Sequence, residues 1–117
     1  MKIHHMRLQL LPFEQIKSGS KSIEARVNDD KRQLLRVGDE IVFSLLDDSS
    51  QKINTQIINL QKFPNFKELF AAFSPDQYGS VNKDEYVGMY KYYSKDEEVK
   101  YGVIAIITEK IVRKDTI

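Results

Sequence analysis

The stretch GSKSIEAR, residues Gly19–Arg26, decides the predicted fold, because a helix ends and a strand begins within it. Apolar and polar side chains alternate from Ser22 onward, which is the period of a half-buried strand. Glu24 and Arg26 therefore share the polar face of this strand with Ser22. Lys21 precedes the strand on a turn, so its ammonium group reaches toward the same face.

The charges of this stretch have two interpretations. In the first, the three charged side chains converge on one small ligand. In the second, the strand face is solvated and carries one neutralising ion pair, since surface ion pairs are common and individually weak. The spacing by itself leaves both interpretations open.

The same residue types can perform two kinds of chemistry. Lys21 can act as a base and Glu24 can accept or deliver a proton, so both are candidate catalytic residues if the protein is an enzyme. Arg26 offers a planar fork that suits phosphate or guanine, and Glu24 can accept a hydrogen bond from an exocyclic amine such as that of cytosine. With Ser22 on the same face, the four side chains are also candidate binding residues for RNA, a nucleotide or a nucleoside.

The residues before this stretch predict a strand and a short helix. Met1–Gln9 is predicted to be the first strand, and Pro12 suits the first turn of the helix that follows. Gly19 can adopt the left-handed conformation that ends a helix. This places Lys21 on the connecting turn.

The middle of the chain predicts an antiparallel hairpin. The turn Val37–Asp39 leads into a nearly continuous apolar segment over 40–46, which is typical of a strand covered on both sides. We predict that the polar residues 47–50 form the hairpin connection and that 52–61 returns as the antiparallel partner.

The second half contains two helical patterns and a last strand. Asn65, with Glu68 three residues later, predicts a capped amphipathic helix. A second helix is predicted over 82–93, with a stripe that packs in the core rather than stacking on bases: Tyr86, Met89, Tyr90 and Tyr93. Residues 95–100 are predicted to be a charged loop, and 101–107 a central strand that is apolar on both faces and extends to 112.

The order of elements is strand, helix, three strands, two helices and strand. Short, mainly antiparallel strands around one core predict an α+β fold, a small mixed β-barrel with helices packed on its side and ends. A length of 117 residues fits one domain, residues 1–117.

Composition narrows the classes of function. Lysine and arginine nearly balance aspartate and glutamate, leaving a formal charge of +1, so any RNA-binding patch must be local. There is no cysteine, which excludes disulfides, thiolate metal sites and a cysteine nucleophile. No apolar run approaches the roughly 20 residues that span a bilayer, and the N-terminus lacks the apolar core of a signal peptide. We expect a cytoplasmic protein with no membrane partner.

Several familiar catalytic motifs are missing. The five glycines form no phosphate-binding loop, and no serine lies in a Gly-x-Ser-x-Gly elbow. His4 and His5 are neighbours on a predicted strand, so they point to opposite faces and cannot chelate one metal ion together. We expect a half-buried His4, an exposed His5, and neither a metal nor a cofactor.

The pattern Gly-x-Lys-x-x-Glu-x-Arg at 19–26 resembles that of the ASCH domains, the activating-signal-cointegrator homology family. The neighbouring motifs are similar too: a Pro-Phe-x-x-Ile helix at 12–16, the Val-Gly-Asp turn at 37–39 and the strand Tyr-Gly-Val-Ile-Ala-Ile at 101–106. The resemblance implies a PUA-like β-barrel with the charged motif at a cleft that is thought to hold RNA.

One bacterial branch of ASCH-like proteins is an amidohydrolase that removes the acetyl group of N4-acetylcytidine with a lysine, a threonine nucleophile and a glutamate. Lys21 matches that lysine, but Glu24 stands in the place of the threonine. Near the expected glutamate position, at Tyr78 and Gly79, the nearest carboxylate in the sequence is Asp76. The resemblance therefore does not carry this activity over. Hydrolysis of a modified nucleoside or of RNA stays open as an alternative, with Lys21 and Glu24 as the proton-transfer pair.

The leading prediction is an RNA- or nucleotide-binding domain that uses a charged cleft around the motif. A third interpretation is a protein-interaction domain, in which exposed tyrosines contact a partner and the charges only order the fold. Tyr92 and Tyr101 are then the residues that matter, and Tyr78 is a further aromatic with few sequence constraints. The sequence assigns no oligomeric state.

Overall fold

The computed structural model describes residues 1–112. Its strands are β1 (Ile3–Leu8), β2 (Ile23–Val27), β3 (Glu40–Leu45), β4 (Asp48–Phe63) and β5 (Val103–Lys110). Its α-helices are α1 (Leu10–Ser18), α2 (Phe66–Ala72) and α3 (Lys95–Tyr101), and its 3₁₀ helices are Arg32–Leu34, Pro75–Tyr78 and Lys83–Lys91. Within residues 1–112, no helix combines the length and the apolar character that crossing a bilayer needs.

All five strands form one sheet in the order β1-β3-β4-β5-β2, with β1 and β2 at its edges. β1 pairs with β3 in parallel, and every other neighbouring pair is antiparallel. The sheet curls into a half-barrel, and helices pack against it. This confirms the predicted α+β class with mainly antiparallel strands, and it is consistent with a PUA-like fold.

The sheet is covered on both faces, and β5 shows this directly because it lies between β4 and β2. Ile104 and Ile106 of β5 enter a core cluster that includes residues of α1. Val103 and Ala105 point to the other face and enter a second core cluster with residues of α2. The prediction of a central last strand that is apolar on both faces is confirmed.

Two local signals that position neighbouring elements are confirmed. α1 ends at Gly19, whose φ of 88° is left-handed. Asn65 caps α2, because its side chain accepts a hydrogen bond from the Glu68 amide at 2.8 Å. Both elements begin or end where the sequence predicts, which fixes the entry of the chain into β2 on one side and the exit from β4 on the other.

The β3–β4 hairpin has the predicted direction but a shorter connection. The turn consists of Leu46–Asp47, and β4 already begins at Asp48, so the prediction of a connection over 47–50 is wrong. Asp48 pairs with Leu45 of β3, and its side chain accepts hydrogen bonds from the amide and hydroxyl of Ser50. These contacts let a polar, exposed segment continue the strand.

The predicted loop over 95–100 is also wrong, because these residues form α3. The Ser94 hydroxyl accepts a hydrogen bond from the Glu97 amide, and the Glu97 carboxylate accepts one from the Ser94 amide. This reciprocal capping box satisfies the first turn, so a highly charged sequence still forms a helix. The last strand consequently begins at Val103 rather than at 101, and it ends at Lys110.

The segment 82–93 is helical as predicted, but it is a 3₁₀ helix over Lys83–Lys91. Its aromatic stripe packs half-buried against the second core cluster, which confirms the interpretation as core: Tyr86, Met89, Tyr90 and Tyr93. Tyr78 is buried as well, and its hydroxyl donates to the Phe70 carbonyl at 2.9 Å. It is a core residue, contrary to its description as a residue with few constraints.

Candidate functional site

Lys21, Glu24 and Arg26 meet at the start of β2, next to the end of α1. The Lys21 Nζ lies 2.9 Å from Glu24 Oε1. Arg26 reaches the other carboxylate oxygen, Oε2, with its Nη2 at 2.7 Å and its Nε at 3.1 Å. Glu24 thus joins two cations, and we call the three residues the charged triad.

The charged triad is largely withdrawn from solvent. The exposed fractions of its side chains are 10% for Lys21, 8% for Glu24 and 17% for Arg26. The interpretation of β2 as a half-buried strand with a solvated polar face is therefore wrong, because residues on both faces of the strand are covered. The convergence of the three charges is observed, as the spacing predicts.

A turn after the 3₁₀ helix Pro75–Tyr78 covers Lys21. Gly79 in this turn has a φ of 82°, and a Cβ atom there would lie 2.5 Å from Gln15 Oε1 and 3.2 Å from Lys21 Cδ. A residue without a side chain is what lets the turn lie against the lysine. The Gln15 side chain also donates to the Gly79 carbonyl at 3.2 Å, which ties the turn to α1.

Ser22 borders the charged triad and connects neighbouring elements through its main chain. Its amide donates to the Gln77 carbonyl at 2.9 Å, and its carbonyl accepts from the Thr108 amide at 2.9 Å. Asp76, the carboxylate nearest in sequence to the position expected for a catalytic glutamate, is exposed. The structure therefore brings together three of the four predicted binding side chains by direct contact and holds the start of β2 through the fourth residue.

Opposing effects act on the pKa of Glu24. Burial raises it, but the adjacent Lys21 and Arg26 outweigh burial and lower this pKa from 4.5 to about 2. Burial likewise lowers the pKa of Arg26, and Glu24 together with Tyr93 raises it above its ordinary value. Two cationic groups thus surround a carboxylate that is ionised at neutral pH, and the charged triad carries a formal excess of one positive charge.

The low pKa of Glu24 bears on the predicted proton-transfer pair. A general acid or base works best when its pKa lies near the working pH. A carboxylate that stays ionised down to about pH 2 accepts a proton poorly at neutral pH. The geometry favours Glu24 as the group that holds two cations in place.

A second carboxylate, Glu98 of α3, is buried, and the sequence patterns did not predict this. Its Oε2 accepts a hydrogen bond from the Phe66 amide at 2.9 Å, at the start of α2. The Tyr90 hydroxyl lies 2.9 Å from each of its two oxygens. Burial and this contact raise the pKa of Tyr90 to about 12, so the phenol stays protonated and donates. The capping box formed by Ser94 and Glu97 is the sequence signal that places Glu98 on a helix.

The burial of the two histidines is as predicted. His4 is half-buried with its Nε2 2.8 Å from Asp39 Oδ2, whereas His5 is exposed. Asp39 also accepts hydrogen bonds from the amides of Lys2 and Arg36, so it ties β1 to the turn before β3. In the part of the chain that the structure describes, no three histidine or carboxylate side chains come together as a metal site requires.

Comparison with known proteins supplies relatives of this fold. None of the curated proteins compared with the chain matches it. The crystal structure of the hypothetical protein PH0355 is 33% identical, with a TM-score of 0.82, and the match covers 95% of this chain and 100% of that one. The solution NMR structure of protein PF0455 from Pyrococcus furiosus is 29% identical, with a TM-score of 0.72 and coverage of 95% and 98%.

A more distant structure shares the fold alone. A mutant ASCH protein from Zymomonas mobilis is 13% identical, with a TM-score of 0.67, and the match covers 92% of this chain and 67% of that one. The family model described as the ASCH domain matches residues 6–112, a range that contains the charged triad and every strand but the start of β1. This chain belongs to the ASCH domain family.

Proposed function

We propose that the protein binds RNA or a nucleotide at the charged triad, where Lys21 and Arg26 contact phosphate or base. The observation that carries the proposal is the excess of one positive charge among side chains that are at most 17% exposed. A charge withdrawn from water is costly unless it is paired. An anionic group of a ligand, such as a phosphate, offsets this cost.

Glu24 has two roles in the proposal. It orients both cations, and its remaining lone pair accepts a hydrogen bond from an exocyclic amine of a base. A carboxylate offers about four acceptor positions. Lys21 occupies one on Oε1 and Arg26 occupies two on Oε2, so one position on Oε1 is available to a ligand. Ser22 adds a hydroxyl group at the border of the same site.

Membership of the ASCH family supports a nucleic-acid ligand, because the domains of this family generally resemble RNA-binding domains. The near-neutral composition of the chain fits a local site rather than a broad basic surface. If the protein is instead a small hydrolase, it should turn over an acylated nucleoside or RNA, and the Lys21→Ala variant should lose this activity. The low pKa of Glu24 argues against Glu24 as the group that accepts or delivers a proton in this reaction.

The substitution Lys21→Gln tests the proposal most directly. It removes the excess charge, while the glutamine amide can still donate to Glu24 and Arg26 still neutralises the carboxylate. Charge reversal is less suitable, because a new carboxylate would face Glu24 in a buried site. We expect the affinity for a nucleoside monophosphate and for a short single-stranded RNA to fall on the order of tenfold, since a charge-assisted hydrogen bond is removed.

The matched control is Lys2→Gln, which removes an exposed lysine next to β1, at the opposite edge of the sheet from β2. It should bind both ligands as the native protein does. Calorimetry and fluorescence anisotropy at one fixed salt concentration measure the affinities, and circular dichroism checks the fold. Native affinity in a folded Lys21→Gln variant, or no binding by the native protein, contradicts the proposal.

The two tyrosines named by the protein-interaction hypothesis differ in exposure, and the more exposed one supplies a further control. Tyr92 is 63% exposed, whereas Tyr101 is half-buried at the end of α3 with Lys100 Nζ 5.0 Å from its ring centroid. Tyr92→Ala should leave nucleotide binding unchanged if the charged triad is the site. Loss of nucleotide binding in folded Tyr92→Ala, with native affinity in Lys21→Gln, would move the nucleotide site to Tyr92 and contradict the proposal.

A further inference from the structure

An open groove lies at the end of α1, beside the hairpin of β3 and β4, and it has a volume of about 480 Å³. Phe13 and Ile53 contribute apolar wall, and three lysines line the groove: Lys17, Lys52 and Lys110. We call it the lysine groove. The residues of the charged triad do not line it, so it is a separate feature of the surface.

The lysine groove is cationic. Lys17 and Lys52 are exposed, and Lys110 Nζ donates to the Lys17 carbonyl at 2.7 Å, which holds this ammonium group at the end of α1. None of the residues that line the groove, all within 1–112, is an acid. Asp48 accepts hydrogen bonds from the groove-lining Ser50 and Gln51 and adds one negative charge nearby, and the three lysines outnumber it. The net positive charge favours an anionic ligand.

Two lysines of the groove, Lys17 on α1 and Lys110 on β5, lie on the same face of the sheet as the charged triad, whereas Lys52 is next to the core residue Ile53 in β4 and points to the other face. Glu24 of β2 is paired with Ile106 of β5, and alternate residues along β5 share that face, so Lys110 follows Ile106 and Thr108 on it. The Thr108 amide donates to the Ser22 carbonyl, which brings the start of β2 to this point. From Ile106 to Lys110 the strand covers about 13 Å, the length of roughly four stacked nucleotides.

We propose that the lysine groove binds backbone phosphates of the same RNA strand that occupies the charged triad. This inference rests on the proposed function, because it extends that ligand along the sheet. An ammonium group attracts phosphate as a point charge and does not read the base sequence. The lysine groove therefore adds affinity and salt dependence for an RNA strand but adds nothing for a single nucleotide.

The test uses the double variant Lys17→Glu with Lys110→Glu, because both side chains are exposed on the face of the charged triad and neither forms an ion pair within residues 1–112. The matched control is Lys31→Glu with Lys62→Glu, two lysines outside the groove. The probes are uridine monophosphate and a single-stranded oligouridylate several nucleotides long. Both probes are titrated at several salt concentrations with each protein.

We expect the groove variant to bind the oligouridylate on the order of tenfold more weakly at low salt. The slope of log affinity against log salt should fall by about 0.7 for each phosphate that the groove no longer neutralises. Affinity for uridine monophosphate should stay native, and the control variant should retain both affinities.

The outcomes separate the two proposals. A native salt slope in the groove variant, or an equal loss in the control variant, overturns the lysine groove and leaves the charged triad as the site. Loss of uridine monophosphate binding in the groove variant also overturns the inference, because the two sites are then not separate. A native protein that binds neither probe overturns the proposed function itself.

Discussion

Glu24 and Glu98 both carry buried carboxylates, since the exposed fractions of the whole residues are 7% and 6%. The two carboxylates have different partners. Glu24 bonds to two cationic side chains, Lys21 and Arg26, on its own turn and strand. Glu98 bonds to a main-chain amide of α2 and to the hydroxyl of Tyr90 in the 3₁₀ helix Lys83–Lys91. The first carboxylate holds cations, and the second holds three helical elements together.

The burial of a carboxylate therefore does not by itself indicate a functional site. A lysine has three donors and an arginine has five, so a carboxylate that holds both leaves donors for a ligand. A main-chain amide and a phenol have one donor each, and Glu98 uses them both. Partners, rather than burial, separate a candidate binding site from a structural contact.

Removing the Glu24 carboxylate should have the largest effect and should distinguish the two carboxylates most clearly. Glu24→Leu leaves Lys21 and Arg26 buried without their counter-charge, and we expect the free energy of unfolding to fall by about 3–5 kcal/mol. Urea unfolding followed by circular dichroism measures this loss.

The control for Glu24→Leu is a triple variant that adds Lys21→Met and Arg26→Met. It removes every charge of the triad and should recover most of the stability, because packed apolar side chains can replace buried ions. It should not recover nucleotide binding. A Glu24→Leu protein as stable as the native one would mean that the charged triad does not contribute to the fold.

Acid should act next most strongly, and through Glu24. Its pKa falls from 4.5 to about 2 on folding, so its contribution to stability is complete above pH 4.5 and is lost as the pH falls through 2. This contribution is about 3 kcal/mol. Urea midpoints measured from neutral to acid pH report it, with Glu24→Gln as the reference that lacks this titration. Identical pH dependence in the two proteins would contradict the assigned cause.

Substitution of Glu98 should have a smaller effect that is confined to stability. Glu98→Ala leaves the Phe66 amide without its acceptor, and we expect a loss of about 1–3 kcal/mol. Tyr90→Phe keeps that amide bond and should lose about 1 kcal/mol. Both variants should bind nucleotide as the native protein does. Weaker binding by folded Glu98→Ala would show that the two carboxylates do not differ in function.

The last comparison concerns the turn that covers Lys21, where we expect a modest loss of stability. Gly79→Ala adds a Cβ atom to a residue in the left-handed conformation, which lowers stability by about 1–2 kcal/mol. The added atom also pushes against the side chains of Gln15 and Lys21. We expect weaker nucleotide binding because the lysine is displaced. Gly88→Ala is the control, since no atom lies within 4 Å of its added Cβ. Calorimetric titration of both variants compares them, and equal affinity would separate the turn from the site.

Much of the fold follows from short-range signals. Alternation in β2 predicts that Glu24 and Arg26 share a face, and Gly19 predicts the end of α1. The same kind of signal was available at Ser94 and Glu97, where high charge favoured a loop over the capped helix that forms. Signals of this kind depend on backbone geometry over a few residues, which is why they can be recognised in a sequence.

The environment of the charges does not follow from such signals. The sequence by itself determined that Lys21, Glu24 and Arg26 lie close enough to meet, because a turn and a two-residue strand period fix their spacing. Only the tertiary structure decided that they are buried and that the pKa of Glu24 falls to about 2, since Gly79 and other distant residues cover them. It also decided the role of Glu98, whose partner amide lies 32 residues away. Burial and long-range partners depend on how the elements pack, and local period carries no information about that packing.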